Sequence, residues 1–183
     1  MIGYWDRFRK KDELPDIPLR IAGIVRESIV DGPGMRFVIF TQGCPHHCEG
    51  CHNPQTHDFE GGKLMSIRAI YEQIQQTPMV SGITFSGGEP FCQAETLAIL
   101  GKRLREDGKD IMTYSGYTYE KLLEKAKTDK GTDDLLKCTN ILVDGPFVLS
   151  KRNILLKFRG SENQRVLDIT CYPNSTEAEE IEL

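Results

Sequence analysis

The sequence predicts an α/β fold built on a parallel sheet, and three observations point to it. Short segments rich in β-branched and aromatic residues alternate with segments of helical periodicity, which is the order of βα units. The apolar segment at residues 140–143 has no polar alternation, which is typical of a strand covered on both faces. Polar clusters follow the predicted strands directly, where ligands bind in such sheets.

Seven segments have the composition of strands. The first two, residues 19–25 and 35–41, are separated by turn residues at positions 31–34 with the sequence Asp-Gly-Pro-Gly. The other predicted strands cover residues 82–85, 111–114, 141–143, 154–158 and 166–169.

Three helices are predicted between these strands. Ser66 is a candidate N-cap for the first helix, Gly108 is a candidate stop for the second, and the third covers residues 119–127. Their apolar faces are formed by Ile67, Ile70 and Ile74, by Leu97, Leu100 and Leu104, and by Leu122, Leu123 and Ala126.

Length and composition predict one domain. The chain has 183 residues, and 23 Lys and Arg against 27 Asp and Glu give a net charge of −4. We expect the domain at residues 19–173, with an N-terminal extension at residues 1–18 and an acidic tail at residues 174–183, which is expected to be loose from residue 177 to 183.

The same composition argues against several classes of protein. The negative charge does not suit a general nucleic-acid binder, and no apolar run approaches the roughly 20 residues that span a bilayer. The first 16 residues are too charged for the core of a signal peptide. We therefore expect a cytoplasmic protein that binds neither membrane nor nucleic acid directly.

Three of the six cysteines, Cys44, Cys48 and Cys51, are close together in a loop rich in Gly, His and Pro. Disulfides are rare in the cytoplasm, so a metal centre is the better explanation. Iron–sulfur clusters usually have four thiolate ligands, and three would leave one iron without a protein ligand, as in catalytic metal sites. A zinc site completed by His47, His52 or a distant thiol is the alternative. Three thiols without a metal would be prone to oxidation.

A second motif, Gly-Gly-Glu-Pro at residues 87–90, follows the strand predicted at residues 82–85. Two glycines without side chains allow a ligand to approach the backbone closely. The carboxylate of Glu89 would repel a phosphate and attract a cationic group such as an ammonium. By itself the motif is also compatible with a plain turn.

Four polar clusters are expected to meet at one site. They cover residues 42–51, 86–89, 113–116 and 144–145, and each follows a predicted strand. Because the carboxyl ends of parallel strands lie at one edge of the sheet, these clusters should converge there.

These motifs resemble those of the radical S-adenosylmethionine superfamily. The resemblance rests on the Cys-x3-Cys-x2-Cys spacing of the three cysteines and on Gly-Gly-Glu-Pro. More narrowly, the chain is similar to the activating enzymes of anaerobic, class III, ribonucleotide reductase. The motifs that carry this similarity are Val-Asp-Gly-Pro-Gly at residues 30–34, Gln-Gly-Cys-Pro-His-His-Cys at 42–48, Cys-His-Asn-Pro at 51–54, Tyr-Ser-Gly-Tyr at 114–117, Val-Asp-Gly-Pro-Phe at 143–147 and Arg-Gly-Ser-x-Asn-Gln-Arg at 159–165.

The resemblance implies a fold and a chemistry. The fold is a partial, open βα barrel of the radical S-adenosylmethionine type. The cofactors are a [4Fe-4S] cluster and S-adenosyl-L-methionine, which binds the open iron. Reductive cleavage of its C5′–S bond gives a 5′-deoxyadenosyl radical, which takes a hydrogen atom from a glycine of anaerobic ribonucleotide reductase. The implied partners are that reductase and a low-potential electron donor such as flavodoxin.

The resemblance also implies roles for individual residues. Cys44, Cys48 and Cys51 would hold the cluster, and no catalytic residue is expected beyond the cluster and cofactor sites. The residues expected at the cofactor are Gly50, His52, Gly87, Gly88, Glu89, Thr113, Ser115 and Asp144. For Thr113, Ser115 and Asp144, a role as strand-end turn residues without a ligand is an equal alternative.

Three alternatives stay open at this point. Polar residues at positions 159 and 163–165 either contact the partner protein or form a salt-bridged edge strand. The chain could activate a different glycyl-radical enzyme, such as pyruvate formate-lyase. A zinc-binding interaction module is the alternative from another functional class.

Overall fold

A computed structural model describes residues 14–183 of the chain, and these residues form one mixed α/β unit around a single sheet. The strands are β1 (Pro18–Ser28), β2 (Arg36–Thr41), β3 (Lys63–Ser66), β4 (Gly82–Gly87), β5 (Asp110–Tyr114), β6 (Ile141–Asp144), β7 (Arg165–Asp168) and β8 (Glu179–Glu180). The helices are α1 (Ile67–Gln75), α2 (Ala94–Glu106), α3 (Tyr119–Ala126) and α4 (Lys130–Cys138). Three short 3₁₀ helices cover Pro54–Thr56, Pro90–Gln93 and Leu149–Lys151.

The sheet has a parallel centre and antiparallel edges. Its order is β3-β1-β2-β4-β5-β6-β7-β8, and the pairs β2–β4, β4–β5 and β5–β6 are parallel. The predicted parallel sheet is therefore confirmed for the four central strands. The strands on either side of them pair antiparallel.

Local signals set the helix ends where the sequence predicts them. The Ser66 hydroxyl accepts a hydrogen bond from the Arg68 amide at 3.2 Å, so Ser66 caps α1. Gly108, two residues beyond the end of α2, has a φ of +78°, which suits a glycine after a helix.

The two faces of the sheet are covered differently. On one face, Phe37, Ile39, Ile83, Phe85 and Ile111 pack with side chains of all four helices in the larger apolar cluster. The opposite face carries a smaller cluster around Met112, Val143 and Val166. Because side chains alternate along a strand, the second face is free to line a site at the carboxyl ends of the strands.

Two predictions about elements are wrong. Residues 154–158 form a turn followed by a bend rather than a strand, and Ile154 and Leu155 are among the most exposed apolar side chains described. The acidic tail is not loose, since β8 pairs with β7 and Ile181 and Leu183 pack on the smaller apolar cluster. Sequence reasoning also missed β3 and α4, although Asp129 caps α4 by accepting hydrogen bonds from two backbone amides.

Only the end of the predicted N-terminal extension lies within the described residues. There, Leu14 is buried in the larger apolar cluster, and its carbonyl accepts a hydrogen bond from Arg68 Nε at 2.9 Å. Residues 1–13 lie outside the described part. Within residues 14–183, no helix has the length and apolar character needed to cross a bilayer.

Candidate active site

A cavity of about 520 Å³ lies at the carboxyl ends of the central strands. Phe40, Ser86, Tyr114 and Gly145 line it, and these residues come from the ends of β2, β4, β5 and β6 or directly follow them. The predicted convergence of four polar clusters at one edge of the sheet is therefore confirmed.

The loop after β2 carries the three cysteines and is closed at its base by hydrogen bonds. The Gly43 amide donates to the Thr56 carbonyl at 2.8 Å, and the Cys44 amide donates to the His57 carbonyl at 3.1 Å. The buried Gln42 side chain donates to two further carbonyls of the same loop. The loop therefore has a defined shape, and Cys44, Cys48 and Cys51 all line the cavity.

The surroundings of the thiols suit a cationic metal centre. Burial raises the pKa of the Cys44 thiol to about 11, and the nearby charges of Glu89, Cys48 and Cys51 add to this effect. Because metal ligands are thiolates, a bound positive centre would be needed to hold Cys44 in its charged form. The Asn53 amide also donates a hydrogen bond to Cys51 Sγ at 3.4 Å.

A cluster and a single zinc ion place different demands on the arrangement of their ligands. Zinc would need three or four ligands around one point. Among residues 14–183, no three His, Cys, Asp or Glu side chains are grouped so that they could hold one ion. In a cubane cluster each thiolate binds a different iron, and Cys44, Cys48 and Cys51 all line one cavity, as such a cluster requires.

Gly87 and Gly88 bring the end of β4 against the cysteine loop. Gly87 has a φ of +96°, and a Cβ there would lie 2.6 Å from the Thr41 nitrogen. A Cβ on Gly88 would lie 2.5 Å from the Gly43 carbonyl oxygen, which accepts a hydrogen bond from the next amide, that of Glu89. Both glycines also line the cavity. The absence of side chains here therefore permits backbone packing as well as the approach of a ligand.

Glu89 is fully buried and does not line the cavity, which differs from the sequence-based expectation of a carboxylate facing a cationic ligand. Its oxygens accept hydrogen bonds from the Phe91 amide at 3.0 Å, the Gly116 amide at 2.8 Å and the Ser115 hydroxyl at 3.1 Å. His46 Nε2 lies 2.8 Å from Glu89 Oε2. The carboxylate is thus occupied by protein groups and joins the cysteine loop to the end of β5.

The other predicted cofactor residues are divided between the cavity and the interior. His52 and Ser115 line the cavity. Gly50 does not line it; with a φ of +71°, it faces Leu149, whose side chain would lie 2.9 Å from a Cβ at that position. Gly50 therefore allows the backbone to turn between the second and third cysteines.

Thr113 and Asp144 have partners away from the cavity. The buried Thr113 hydroxyl lies 2.9 Å from the hydroxyl of Thr139. Asp144, also buried, accepts a hydrogen bond from the Tyr119 amide at 2.7 Å and pairs with Arg165. Both residues therefore make internal hydrogen bonds and do not line the cavity, which agrees with the alternative of strand-end residues without a ligand.

Sequence reasoning missed one wall of the cavity. It is formed by residues between β6 and β7, which include Phe147, Leu156, Phe158, Arg159, Gly160 and Gln164. The signal available in the sequence was the Arg-Gly-Ser-x-Asn-Gln-Arg motif at residues 159–165. Of its polar residues, Arg159 and Gln164 line the cavity, whereas Arg165 forms ion pairs with Glu120 and Asp144.

Comparison with known proteins places the chain in a family. A family model described as a 4Fe-4S single cluster domain matches residues 30–167. The anaerobic ribonucleoside-triphosphate reductase-activating protein of Escherichia coli strain K12 is 37% identical over 146 residues, which are 75% of this chain and 91% of the relative. The chain belongs to the family of anaerobic ribonucleoside-triphosphate reductase-activating proteins.

Other members of this reductase-activating family align over a similar extent of the chain. The protein of the same name from Vibrio cholerae is 33% identical over 144 residues, 74% of this chain and 89% of the relative. That of Enterobacteria phage T4 is 31% identical over 145 residues, 75% of this chain and 86% of the relative. Among solved structures, QueE from Escherichia coli aligns with a TM-score of 0.44 and 18% identity over 55% of this chain and 54% of that one.

Proposed function

We propose that the protein activates anaerobic ribonucleotide reductase from this cavity, where Cys44, Cys48 and Cys51 hold a [4Fe-4S] cluster. The observation that carries the proposal is the presence of all three thiols on the wall of one cavity, in a chain that belongs to the reductase-activating family. When bound, the cluster and S-adenosyl-L-methionine supply the radical that takes a hydrogen atom from a glycine of the reductase.

The residues of the chain would bind and position these groups. Three thiolates leave one position of the cluster open to the cofactor. Gly87, Gly88, Ser115 and His52 offer backbone and side-chain polar groups on the cavity wall, within the same site as the thiols. Glu89 would act as a positioning residue, because it holds Ser115 and the cysteine loop together through its hydrogen bonds.

We further propose that the fold is an open, partial βα barrel. Support comes from four central parallel strands, from helices packed on one face of the sheet, and from a cavity lined by the other face. A barrel interior that is open at one side leaves room for a protein substrate, which a closed barrel of this size would exclude.

We also propose where in the cell the protein is located and which kind of donor reduces its cluster. The six cysteines are free, which suits the reducing cytoplasm. A low-potential donor such as flavodoxin would supply the electron that reduces the cluster, since the reaction consumes one electron for each cofactor cleaved.

The test is anaerobic reconstitution with iron and sulfide, followed by incubation with the reductase, S-adenosyl-L-methionine and a strong reductant. We expect the electron paramagnetic resonance signal of a glycyl radical on the reductase and none on pyruvate formate-lyase used as a non-cognate control. Release of 5′-deoxyadenosine and methionine without a radical on the reductase would contradict the assigned substrate. If the protein binds no iron–sulfur cluster at all, its assignment as an activating enzyme would be contradicted.

A further inference from the structure

Residues 148–164, here called the mouth hairpin, protrude beside the cavity and have a fixed shape. Glu162 donates its amide to the Lys151 carbonyl at 3.0 Å, and Asn153 donates its amide to the Gly160 carbonyl at 3.2 Å. The Gln164 side chain accepts a further hydrogen bond from the Gly160 amide at 2.9 Å. This segment is therefore a hydrogen-bonded protrusion rather than a loose loop.

The two sides of the mouth hairpin have different surroundings. Leu156 and Phe158 line the cavity, whereas Ile154 and Leu155 do not line it and are 83% and 86% exposed. Adjacent large apolar side chains on an ordered protrusion are unfavourable in water unless a partner covers them. Because these two side chains lie next to residues that line the cavity, a partner that covers them would also lie beside the reaction site.

A second exposed apolar pair borders the same cavity. Ile29 and Val30, in the turn between β1 and β2, are 71% and 73% exposed, and Val30 also lines the cavity. The mouth thus has apolar side chains on two of its borders, contributed by segments more than 100 residues apart. Both pairs are exposed and therefore available to a polypeptide that enters the cavity.

The mouth hairpin also differs in charge from the rest of the protein. It contains four basic residues and one acidic residue, whereas the whole chain has a net charge of −4. Lys151, Arg152 and Lys157 are exposed, and none of them forms an ion pair with a described residue. A basic, apolar protrusion on an acidic protein favours an acidic partner surface.

Building on the proposed function, we infer that the mouth hairpin and the Ile29–Val30 turn together form the docking surface for the protein substrate. The occupant is a segment of the reductase that carries the reactive glycine and presents apolar side chains beside acidic ones. Docking there would place the glycine backbone at the cavity mouth. Apolar contact would supply affinity, and the lysines would mainly speed association.

The test compares variants of the reconstituted, full-length protein. The apolar variant combines Ile154→Ser with Leu155→Ser, and its matched control is Met79→Ser, which changes a side chain that is 73% exposed and does not line the cavity. The charge variant combines Lys151→Glu with Lys157→Glu, and its control combines Lys102→Glu with Lys121→Glu, which changes two exposed lysines on α2 and α3.

Binding to immobilised reductase under anaerobic conditions is the main measurement. We expect the apolar variant to bind at least about tenfold more weakly than the parent. The charge variant should associate about fivefold more slowly at low salt, with a smaller difference at high salt. Both control variants should stay within about twofold of the parent. Cluster content and reductant-driven cleavage of S-adenosyl-L-methionine without the reductase should be unchanged in all of them.

Several outcomes would overturn the inference. Parental affinity in the apolar and charge variants would exclude this surface as the docking site. A change in the oligomeric state of the apolar variant without weaker reductase binding would mean that the surface joins two copies of this chain. If the apolar variant fails to fold, the charge variant decides the question. The proposed function fails separately, if the parent protein itself puts no radical on the reductase.

Discussion

At the scale of single residues, the three cysteine thiols and the buried carboxylate of Glu89 have different roles. The thiols lie on the cavity wall, on a loop outside both apolar clusters. Glu89 lies behind that wall and accepts hydrogen bonds from two segments of it. Replacing a thiol should therefore affect the metal centre, and replacing the carboxylate should affect the shape of the pocket around it.

We expect Cys48→Ala to abolish cluster assembly and to change the free energy of unfolding by less than about 1 kcal/mol, because this half-buried thiol is not part of the core. Iron and sulfide analysis together with urea unfolding measures both effects. The control is Cys171→Ala, an exposed thiol outside the cavity, which should keep its cluster. A Cys48→Ala protein that cleaves S-adenosyl-L-methionine at the parental rate would refute the assignment.

For Glu89→Gln, we expect nearly normal iron content and S-adenosyl-L-methionine binding weakened by about tenfold. The amide NH₂ of glutamine would face donors such as the Gly116 amide, so the loop at the end of β5 would shift. Equilibrium binding to the reconstituted protein measures the effect, with the exposed Glu106→Gln as the control. Equal affinities in the two variants would mean that this carboxylate does not position the pocket.

At the scale of elements, the end of β4 packs directly on the cysteine loop. The Gly88 amide donates to the Thr41 carbonyl at 2.8 Å, and the Glu89 amide donates to the Gly43 carbonyl at 2.9 Å. The loop that holds the cluster is therefore fixed to the centre of the sheet by backbone contacts. Side chains at positions 87 and 88 would push these segments apart.

We expect Gly88→Ala to cost about 1 to 3 kcal/mol of unfolding free energy and to lower the amount of bound iron. The added Cβ would meet backbone atoms of Gly43 and Thr56, which cannot move as a flexible side chain can. Urea unfolding and iron analysis are the measurements. Gly23→Ala in β1 is the matched control, because a Cβ there meets no atom within 4 Å. Similar stability and iron content in both variants would argue against this contact.

At the scale of the whole molecule, one buried arginine links the central strands. The Arg36 guanidinium, at the start of β2, donates to the Ile83 carbonyl at 2.6 Å and to the Thr84 hydroxyl at 3.1 Å, and it pairs with Asp110. It also reaches the Pro33 carbonyl in the turn that borders the cavity. This side chain therefore joins β2, β4 and β5 to that turn.

We expect Arg36→Met to lower the free energy of unfolding by about 2 to 4 kcal/mol, because it leaves buried acceptors without a donor. The Asp110 side chain is 39% exposed and can form hydrogen bonds with water instead, which limits the loss of stability. Urea unfolding of the reconstituted protein measures it, with the exposed Arg26→Met as the control. A difference between the two variants of less than about 1 kcal/mol would show that the arginine is not needed for stability.

Features that depend on neighbouring residues in the chain could be predicted from the sequence. The cap of the first helix, the glycine that follows the second, the apolar faces of both and the positions of the central strands along the chain are such features. The expectation that strand-end motifs converge also succeeded, because the geometry of parallel strands requires it. These local rules do not say which side chains of a converging loop face the ligand.

Contacts between distant segments were decided only by the tertiary structure. Glu89 was expected to face a ligand, but its donors lie up to 43 residues away and turn it inward. The apolar run at residues 154–158 has a strand-like composition, yet it is folded into the mouth hairpin with two side chains in solvent. The acidic tail became an edge strand because β7 offered it unpaired backbone groups. In each case the stabilising contacts are made with residues that are remote in sequence. Composition and periodicity therefore cannot predict them.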